Sequence, residues 1–424
     1  MGGSDPDRLI KDLQLWLQKR NFPVNPKVQI KFFPEYGFGL EATQEIADGE
    51  ALAVIPFGLA MQEEFFYESS QDVQFAFNVA WASSPRDRYI ALLVWLLLER
   101  AKGSKSEWAP WINTLPVSFD HLPAYWSEAE HEELKGTMLH YDVHLEKERL
   151  ERMYSRFQVE YMKKVPEFFK ESIFTKENFK WAAHVMDTRA VAHLNLVFIV
   201  PVLDLVNSRA ESDPSKVMRR HRNHNIGAFD LHATKDYKKG EQVLEYYGHP
   251  NHELVLRHGF FLDENANECV KINIDVSEFS YLHLKHLELG DYSPIILPET
   301  GTRLHQFCVG YDTFEDFPKG LANHILLKHY GKDEYTEEDL SAENRHLFWT
   351  LLKEKIEASI ENFPTTFTED QVLLEQQPSK NVEMAIKYRL HHKKFLRDLF
   401  YELEGLVEEA KKALEEEEGK KDEL

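Results

Sequence analysis

The sequence predicts an α+β protein in which one β-rich domain is split by a helical insert and followed by an all-helical C-terminal domain. A strand-turn-strand pattern occurs twice, around Ala42-Thr43 and around Ala233-Thr234, and each copy continues to an acid and a Gly-Glu pair at matching spacing. Good helix formers dominate between the two copies, and helical periodicity returns from about Tyr281 onward. We therefore expect the two copies to belong to one β-domain.

Length and composition limit the class of protein. A chain of 424 residues is too long for one core, since domains usually hold about 100 to 200 residues. Its formal charge of -22 argues against a general nucleic-acid binder, because binding to phosphates needs a concentrated basic surface. With Cys269 and Cys308 as the sole cysteines, a disulfide scaffold and an all-cysteine zinc cluster are excluded. We expect both to be buried, small apolar residues.

The sequence favours a protein that does not enter a membrane. The longest apolar run, Tyr89 to Leu98, is about half of the roughly 20 residues that a membrane-spanning helix needs, which predicts a core helix. The first residues have neither the basic region nor the apolar stretch of a secretory signal, so we expect a cytoplasmic or nuclear location. The chain ends in Lys421-Asp422-Glu423-Leu424, the form of an endoplasmic-reticulum retrieval signal, and the alternative is the lumen of that compartment if a signal peptide precedes this numbering.

The N-terminal third combines a helix with strands. Apolar spacing from Leu9 to Leu17 predicts a helix, and the alternation from Val28 to Phe32 predicts a strand. Gly37, Gly39 and Ala42 have the spacing of a dinucleotide-binding fingerprint, which requires a helix directly after the glycines. Asp48-Gly49 instead marks a β-turn between two strand-like runs, and this excludes the fingerprint.

The remaining elements are predicted from caps and periodicity. Trp126 to Lys163 reads as a helix that opens with a Ser127–Glu130 capping box, and Glu177 to Val191 reads as a second helix. A buried run from Val197 to Val206 follows. Further along, Thr366 with Glu369 forms another capping box, and apolar residues recur at helical spacing from Val382 to Ala410.

Several short motifs, weak singly, form an ordered set across nearly the whole chain. In this order they resemble the SET-domain protein methyltransferases that carry a Rubisco-methyltransferase-like substrate-binding domain, and the C-terminal half is most similar to the actin-histidine methyltransferase group. The motifs are Tyr36-Gly37-Phe38-Gly39-Leu40, Trp108-Ala109-Pro110-Trp111, Leu115-Pro116, Thr188-Arg189-Ala190, Pro201 to Asn207, Tyr246-Tyr247-Gly248, Gly259 to Asn265 and Met384 to Leu390.

The resemblance implies a split SET β-fold with a pseudoknot and a set of domain boundaries. These are an N-terminal helix at 1–27, the first part of the SET domain at 28–80, a helical insert at 81–186, the second part with the active site at 187–275, a helical substrate-binding domain at 276–410 and an acidic tail at 411–424.

The resemblance further implies S-adenosyl-L-methionine as cofactor, and each family position carries over to a residue here. Glu35, Gly37, Phe38 and Gly39 would lie near its methionine part, Arg189 would bind its carboxylate, and Asp204, Leu205, Val206, Asn207 and Ser208 would line the adenine and ribose. His258, Gly259 and Phe260 would close the site, with Tyr247 and the less certain Glu64 in the same shell. Ser208 departs from the family's histidine.

Tyr247 matches the family's catalytic tyrosine, whose hydroxyl aims a neutral nitrogen at the methyl group. The implied substrate channel contains Val191, Leu203, Tyr246 and Phe261. The actin-histidine enzymes hold the target imidazole with an Asn, a Trp and an Arg, where this chain has Val191, Leu203 and, across a one-residue deletion, His249-Pro250. The expected acceptor is therefore a lysine.

The first hypothesis is a monomeric lysine methyltransferase acting on a non-histone protein, which is bound through the SET channel and the C-terminal helical domain. The alternatives are a protein-histidine methyltransferase with an actin-like substrate, and a catalytically weak SET fold that serves as a protein-binding module. We expect no metal, because His221, His224, His391 and His392 lack companion ligands and read as solvated faces.

Overall fold

The computed structural model describes residues 5–422 except 23, 83–86, 194–195, 212–219, 224–226, 276–294, 297–302 and 311–341. The start of the predicted C-terminal helical region near Tyr281 lies outside the described residues. The chain forms two compact units. Unit 1 comprises Met1–Tyr125, His144–Gly248 and Glu253–Ala266, and unit 2 comprises Trp126–Val143, His249–His252 and Asn267–Leu424.

Unit 1 contains three small sheets built from short strands. One sheet has the order β1-β2-β10-β7, a second β3-β9-β8 and a third β4-β6-β5. The strands are β1 Val28–Phe33, β2 Gly37–Ala42, β3 Ala51–Pro56, β4 Met61–Gln62, β5 Ala190–His193, β6 Leu196–Ile199, β7 Asn207–Ser208, β8 Arg220–Asn223, β9 Ala228–His232 and β10 Gln242–Glu245. The expected fold of small sheets is confirmed.

The two similar strand-turn-strand segments pair with each other, as the repeated pattern predicts. β2 and β10 are antiparallel neighbours, and so are β3 and β9. The turns that follow are joined reciprocally, since the amides of Ile46 and Tyr237 each donate to the carbonyl of the other. Gly49 and Gly240 occupy the left-handed backbone region that a tight turn requires (φ +79° and +88°). One β-domain is therefore assembled from two distant parts of the chain.

Helices cover these sheets and form the core of unit 1. The predicted core helix spans Arg88–Ala101, and its residues from Ile90 to Leu97 are buried. None of the helices in the described part of the chain has the length and apolarity needed to cross a bilayer. The helices of unit 1 are α1 Pro6–Lys19, α2 Glu63–Tyr67, α3 Gln71–Trp81, α4 Arg88–Ala101, α5 Ala109–Ile112 and α8 Lys176–Arg189. Of the others before residue 259, α6 Glu128–Glu132 belongs to unit 2, and α7 Met138–Phe157 and α9 Asn251–His258 begin in unit 2 and continue in unit 1.

The predicted long helix from Trp126 to Lys163 is broken. Its capping box is present, with the Ser127 side chain accepting from the Glu130 amide, but α6 ends at Glu132 and α7 begins at Met138. Gly136 lies between them in the left-handed region (φ +85°), and an added Cβ would lie 2.8 Å from the Phe363 Cα atom. The helix propensity of this segment is overridden by a turn that lies close against another backbone segment of unit 2.

Unit 2 contains the predicted C-terminal helices, which pack through Phe348, Leu352, Leu396 and Leu399. It also contains a three-stranded antiparallel sheet. Its first strand follows the alternating run from Val270 to Ile274, which is typical of a strand, whereas the other two fall within the region 276–410 that was predicted to be all-helical. These elements are β11 Val270–Asp275, β12 Ile295–Ile296, β13 Arg303–Val309, α10 Ala342–Glu361, α11 Phe367–Glu375 and α12 Lys380–Asp422.

The two cysteines differ from the prediction of free, buried residues. Cys269 directly precedes β11, Cys308 lies in β13, and a disulfide joins them with the two Cα atoms 5.4 Å apart. The antiparallel pairing of β11 with β13 brings these residues together although they are 39 positions apart in the sequence. Sequence spacing alone gives no measure of such a distance.

A buried ionic cluster fixes α11 against α12 in unit 2. Asp370 is fully buried, and its carboxylate accepts hydrogen bonds from Arg389 Nη2 (2.6 Å), Lys393 Nζ (2.7 Å) and Thr365 Oγ1 (2.6 Å). Burial alone would raise the pKa of Asp370, but the hydrogen bonds from Arg389, Lys393 and Thr365 outweigh it and hold the pKa below its usual value. Asp370 is therefore ionised and serves as the counterion of two buried cations.

We predict that Asp370→Asn destabilises the protein by roughly 3 to 5 kcal/mol, because it removes the buried carboxylate that Arg389 and Lys393 share, and Glu133 remains as the ion-pair partner of Arg389 alone. The matched control is Glu383→Gln, which removes an exposed pair with Lys387 and should cost less than about 1 kcal/mol. Urea unfolding followed by circular dichroism measures both variants. Equal midpoints for the two variants would contradict this role for Asp370.

Candidate active site

Unit 1 contains a cavity of about 770 Å³ at the ends of several sheet strands. This volume is in the usual range for small-molecule sites. The cavity is lined by Glu35, Tyr36, Pro116, Phe119, His121, Thr188, Arg189, Asp204, Asn207, Ser208, Arg209, Ala210, Tyr247, Arg257, His258, Gly259, Phe260, Phe261, Leu262, Asp263 and Glu264.

The β1–β2 hairpin supplies one edge of the cavity. Phe33 pairs with Gly37, so that the connecting loop presents Glu35 and Tyr36, and Gly37 closes the loop with a φ of +81°. Further along β2, Gly39 has no side chain where an added Cβ would lie 2.9 Å from Asn207 Nδ2. This absence lets the Asn207 amide reach the Phe38 carbonyl (3.2 Å).

The turn from Val202 to Ser208 supplies the polar end of the cavity. Val202 is buried and has a φ of +79°, an unusual conformation for a β-branched residue. The strained residue starts a 3₁₀ turn over Leu203–Leu205, and the chain then enters the short strand β7. Asp204, between the buried Leu203 and Leu205, lines the cavity although its side chain is itself fully buried.

Asp204 connects this turn to α8 and to the helical insert. Arg189, the last residue of α8, donates from Nη1 to the Asp204 carbonyl (2.9 Å) and to Asp204 Oδ2 (3.2 Å). Trp111 of α5 donates from Nε1 to the same Oδ2 atom (2.9 Å). The guanidinium group that is expected to bind a carboxylate is therefore held at the cavity wall by two fixed hydrogen bonds.

Tyr247 lies at the opposite, aromatic part of the cavity. Its hydroxyl donates to the Val206 carbonyl (2.9 Å), and its ring lies 5.2 Å from the His258 ring and 6.4 Å from the Phe260 ring. Tyr246 points the other way, is fully buried and donates to Asn265 Oδ1 (2.6 Å). Successive side chains of an extended segment face opposite sides, so Tyr247 alone of the two lines the cavity.

The end of α9 turns the chain back along the cavity. Gly259 follows the helix with a φ of +75°, and its amide donates to the carbonyls of Leu254 (3.0 Å) and Val255 (3.1 Å), as expected of a glycine that caps a helix C-terminus. Its Cα packs on His121, since an added Cβ would lie 2.5 Å from the His121 Cδ2 atom. Desolvation lowers the pKa of His121, so the ring is neutral near pH 7.

Four buried polar atoms of cavity residues have no hydrogen-bond partner within the described part of the chain. They are Arg189 Nε, Asp204 Oδ1, Ser208 Oγ and Arg209 Nε. Because unpartnered buried polar atoms cost free energy, their presence on one wall indicates a polar ligand. The donor and acceptor set fits an amino-acid carboxylate together with the hydroxyl and amine groups of an adenosine.

The structure brings together most of the side chains that the sequence singled out. The predicted residues on the cavity wall are Glu35, Arg189, Asp204, Asn207, Ser208, Tyr247, His258, Gly259, Phe260 and Phe261. The side chain of Glu64 lies outside the described residues.

Other predicted site residues support the cavity without lining it. Gly37, Phe38 and Gly39 form strand β2 behind Glu35, and Leu205 and Val206 are core residues. Three of the four predicted channel residues also do not line the cavity. Leu203 and Tyr246 are buried at 1% and 0% exposure, and Val191 lies in β5 paired with Phe198. Their role as channel residues stays a prediction, and none of the three lines this cavity.

Sequence reasoning missed several wall residues. Pro116 belongs to the Leu115-Pro116 motif, and Thr188 and Leu262 are neighbours of predicted residues, so contiguity could have indicated them. His121 and Phe119 carry no sequence signal. They reach the cavity because the insert folds back over α8, where the Trp181 indole donates to the Pro116 carbonyl (2.8 Å).

Glu146, His184 and Asp187 place possible metal-ligand atoms within 4.8 Å of one another near this region. Arg149 already occupies the group, donating to both oxygens of Glu146 (2.7 Å each) and to Asp187. Its positive charge takes the place that a metal ion would have, and we assign this group an ionic, structural role.

The expectation that His391 and His392 lie on a solvated face is wrong for both. His392 is buried, which lowers its pKa to about 3, and His391 is hydrogen-bonded to Asn251 (2.9 Å) and Glu268 (3.2 Å).

Comparison with solved structures identifies the fold. The structure of Rubisco LSMT bound to AdoMet superposes with a TM-score of 0.70 over 95% of this chain and 93% of that chain, at 21% sequence identity. The SET domain of LSMT bound to lysine and AdoHcy gives a TM-score of 0.71 over 95% and 92%, also at 21% identity. This chain has a SET fold. Residues 308–396 of the chain match the family described as Rubisco LSMT substrate-binding.

Sequence relatives of this SET-fold chain extend along most of its length. Actin-histidine N-methyltransferase of Papio anubis is 28% identical over 419 residues, covering 91% of this chain and 66% of that protein. The Danio rerio enzyme of the same name is 28% identical over 400 residues, covering 87% and 64%. The chain thus spans about two thirds of the length of these curated relatives.

We predict that Gly259→Ala weakens binding of S-adenosylhomocysteine, because the new Cβ must displace the His121 ring in the cavity wall. The matched control is Gly240→Ala, which has a similar positive φ but no atom within 4 Å of the added Cβ. Both variants should lose roughly 1 to 2 kcal/mol of stability through backbone strain. Calorimetry should show weaker binding in Gly259→Ala alone, and a parallel loss in both variants would contradict the proposed contact.

Proposed function

We propose that this chain is an S-adenosylmethionine-dependent protein N-methyltransferase whose acceptor is a lysine side chain. The observation that carries the proposal is the presence, in one cavity, of the Arg189–Asp204 pair and of the Tyr247 hydroxyl held by the Val206 carbonyl. The first group suits the carboxylate of an amino acid. The second suits the positioning of a nucleophile.

The cofactor, when bound, supplies a methyl group on a positively charged sulfur that a nitrogen lone pair can attack in line. Arg189 would hold its carboxylate. Asp204 Oδ1 would accept a hydrogen bond from a polar group of the cofactor, and the Ser208 hydroxyl would donate or accept one. Ser208 retains a hydroxyl that can bond there although the family has a histidine at this position. The aromatic rings of Tyr247 and Phe260 present electron-rich faces that suit a cationic group.

Tyr247 would position the acceptor. Since its hydroxyl proton is donated to the Val206 carbonyl, its oxygen would act toward an approaching amine as a hydrogen-bond acceptor. Holding the amine in one orientation and excluding water supplies most of the acceleration in such a displacement. The surplus proton of the amine passes to solvent.

A lysine acceptor must lose a proton, and its unperturbed pKa of about 10.4 makes the neutral amine rare near pH 7. Burial against apolar groups lowers the pKa of an amine because it disfavours the charged form. The wall beside Tyr247 is formed by Phe260, Phe261 and Leu262, which supply such surroundings. This apolar wall supports lysine as the acceptor.

Histidine is the second candidate acceptor, and it is favoured by the names of the sequence relatives. An imidazole, with an unperturbed pKa of about 6.5, needs no help with deprotonation. Against it, the Asn, Trp and Arg that contact the imidazole in that group are replaced here by Val191, Leu203 and, across a one-residue deletion, His249-Pro250. In addition, Val191 and Leu203 do not line the cavity.

The protein substrate is proposed to contact the C-terminal helices as well, because residues 308–396 match a substrate-binding family. A binding module without activity remains the alternative from a different class. Calorimetry with S-adenosylmethionine separates it from an enzyme, since the polar wall of a working site should bind the cofactor with measurable heat.

We predict that Tyr247→Phe lowers the rate of methyl transfer by about 100-fold, comparable with the loss of one positioned hydrogen-bonding group in other active sites. Binding of S-adenosylhomocysteine should change little, since the ring remains. The matched control is Tyr246→Phe, which removes a buried hydrogen bond to Asn265 away from the cavity and should lower stability with little effect on the rate. An unchanged rate in Tyr247→Phe would refute the role of the hydroxyl.

We predict that the methyl group is transferred to lysine. Cell extract is incubated with the enzyme and isotopically labelled S-adenosylmethionine, and the labelled residues are located by mass spectrometry, with Tyr247→Phe as the control for background labelling. Label on lysine side chains supports the proposal. Label on histidine with none on lysine establishes the second candidate, and no label above that of the control argues for the binding module.

A further inference from the structure

We propose that Trp111 is a positioning residue for the cofactor carboxylate, acting through Asp204 on Arg189. This inference rests on the proposed function and assigns a role to a residue of the helical insert that does not itself line the cavity. It predicts that an indole N–H outside the site determines how tightly one chemical group of the cofactor is bound.

The geometry forms a chain of hydrogen bonds that ends at the cavity. Trp111 Nε1 donates to Asp204 Oδ2 (2.9 Å), and the same oxygen accepts from Arg189 Nη1 (3.2 Å). The Asp204 side chain is fully buried and that of Arg189 is 18% exposed. Because Oδ2 is anchored from two sides, the rotamer of Asp204 is fixed, and with it the place of the Arg189 guanidinium group at the cavity wall.

Trp111 is itself held rigidly, which a positioning residue requires. Its indole is fully buried, and its carbonyl accepts from Thr114 Oγ1 (2.7 Å). Trp108, one helical turn earlier, packs against Trp16 and Trp95 with ring centroids 5.3 Å apart in each case. The short helix α5 is therefore anchored in the core, and its indole donor has a fixed place.

The role of Trp111 follows from what Asp204 would do without it. With Oδ2 bonded to Arg189 alone, the buried carboxylate would have one fewer donor, and it could rotate about its χ angles to recover a partner. Rotation would pull Arg189 away from its present place on the cavity wall. Loss of the indole N–H should then weaken binding of a carboxylate-bearing ligand specifically.

The test compares two ligands that differ in this group. S-adenosylhomocysteine carries the amino-acid carboxylate, whereas 5′-methylthioadenosine shares the nucleoside and sulfur and lacks it. In Trp111→Phe, calorimetry should show roughly tenfold weaker binding of S-adenosylhomocysteine, the loss expected for one charge-assisted hydrogen bond, and less than about a twofold change for 5′-methylthioadenosine.

The matched control is Trp16→Phe, another buried tryptophan whose Nε1 donates to a backbone carbonyl, that of Glu107 (2.7 Å). It removes the same atoms and should leave the affinity for both ligands unchanged. In an Arg189→Ala background, Trp111→Phe should shift the affinity for S-adenosylhomocysteine by less than about twofold, because the group through which it acts is gone.

The outcomes are distinguishable. If the wild-type protein binds S-adenosylhomocysteine and Trp111→Phe binds it equally well, or loses affinity by the same factor in the Arg189→Ala background, the positioning role is wrong while the proposed function stands. Equal losses for both ligands make Trp111 a structural residue only. If the wild-type protein binds neither ligand, the proposed function fails, and this inference fails with it.

Discussion

The arrangement of the site depends on the buried carboxylate of Asp204. An ionised group in the protein interior must be hydrogen-bonded, since an unpaired buried charge is strongly destabilising. Its partners come from the insert and from the end of α8, so the carboxylate fixes where these two segments meet the turn after Val202. The same turn presents the Val206 carbonyl that orients Tyr247. One short segment with a strained residue at its start therefore sets both the polar and the aromatic ends of the cavity.

These residues can meet only because the β-domain is assembled from two separate parts of the chain. β2 pairs with β10, and the latter lies parallel to β7, which begins at Asn207. This pairing places Gly39 against Asn207 and leads the chain from β10 into Tyr247. The reciprocal hydrogen bonds between Ile46 and Tyr237 hold the two turns in register, and a slip of one residue would exchange the directions of Tyr246 and Tyr247.

Local rules of sequence predicted much of the fold and part of the site. Periodicity and capping boxes identify α4, α11 and α12, and the repeated strand-turn-strand pattern identifies the split domain. The break at Gly136 and the disulfide between Cys269 and Cys308 depend on contacts distant in sequence, so periodicity does not reveal them. Motif order singled out Arg189, Asn207 and Tyr247, which line one cavity, but it gave no side-chain directions, and it did not indicate that Leu203, Val191 and Tyr246 lie away from that cavity.

The choice of acceptor nitrogen is separable from the rest of the chemistry. The Tyr247 oxygen can accept a hydrogen bond from an amine or from an imidazole, and the Arg189–Asp204 pair is indifferent to the acceptor. What differs is the cost of deprotonation, which is large near neutral pH for a group with a pKa of about 10.4 and small for one of about 6.5. A channel for lysine must therefore desolvate the amine, whereas a channel for histidine must supply hydrogen bonds that orient the ring. Phe260, Phe261 and Leu262 supply the first property, and this apolar wall, rather than the absent imidazole contacts, is the stronger physical argument for lysine.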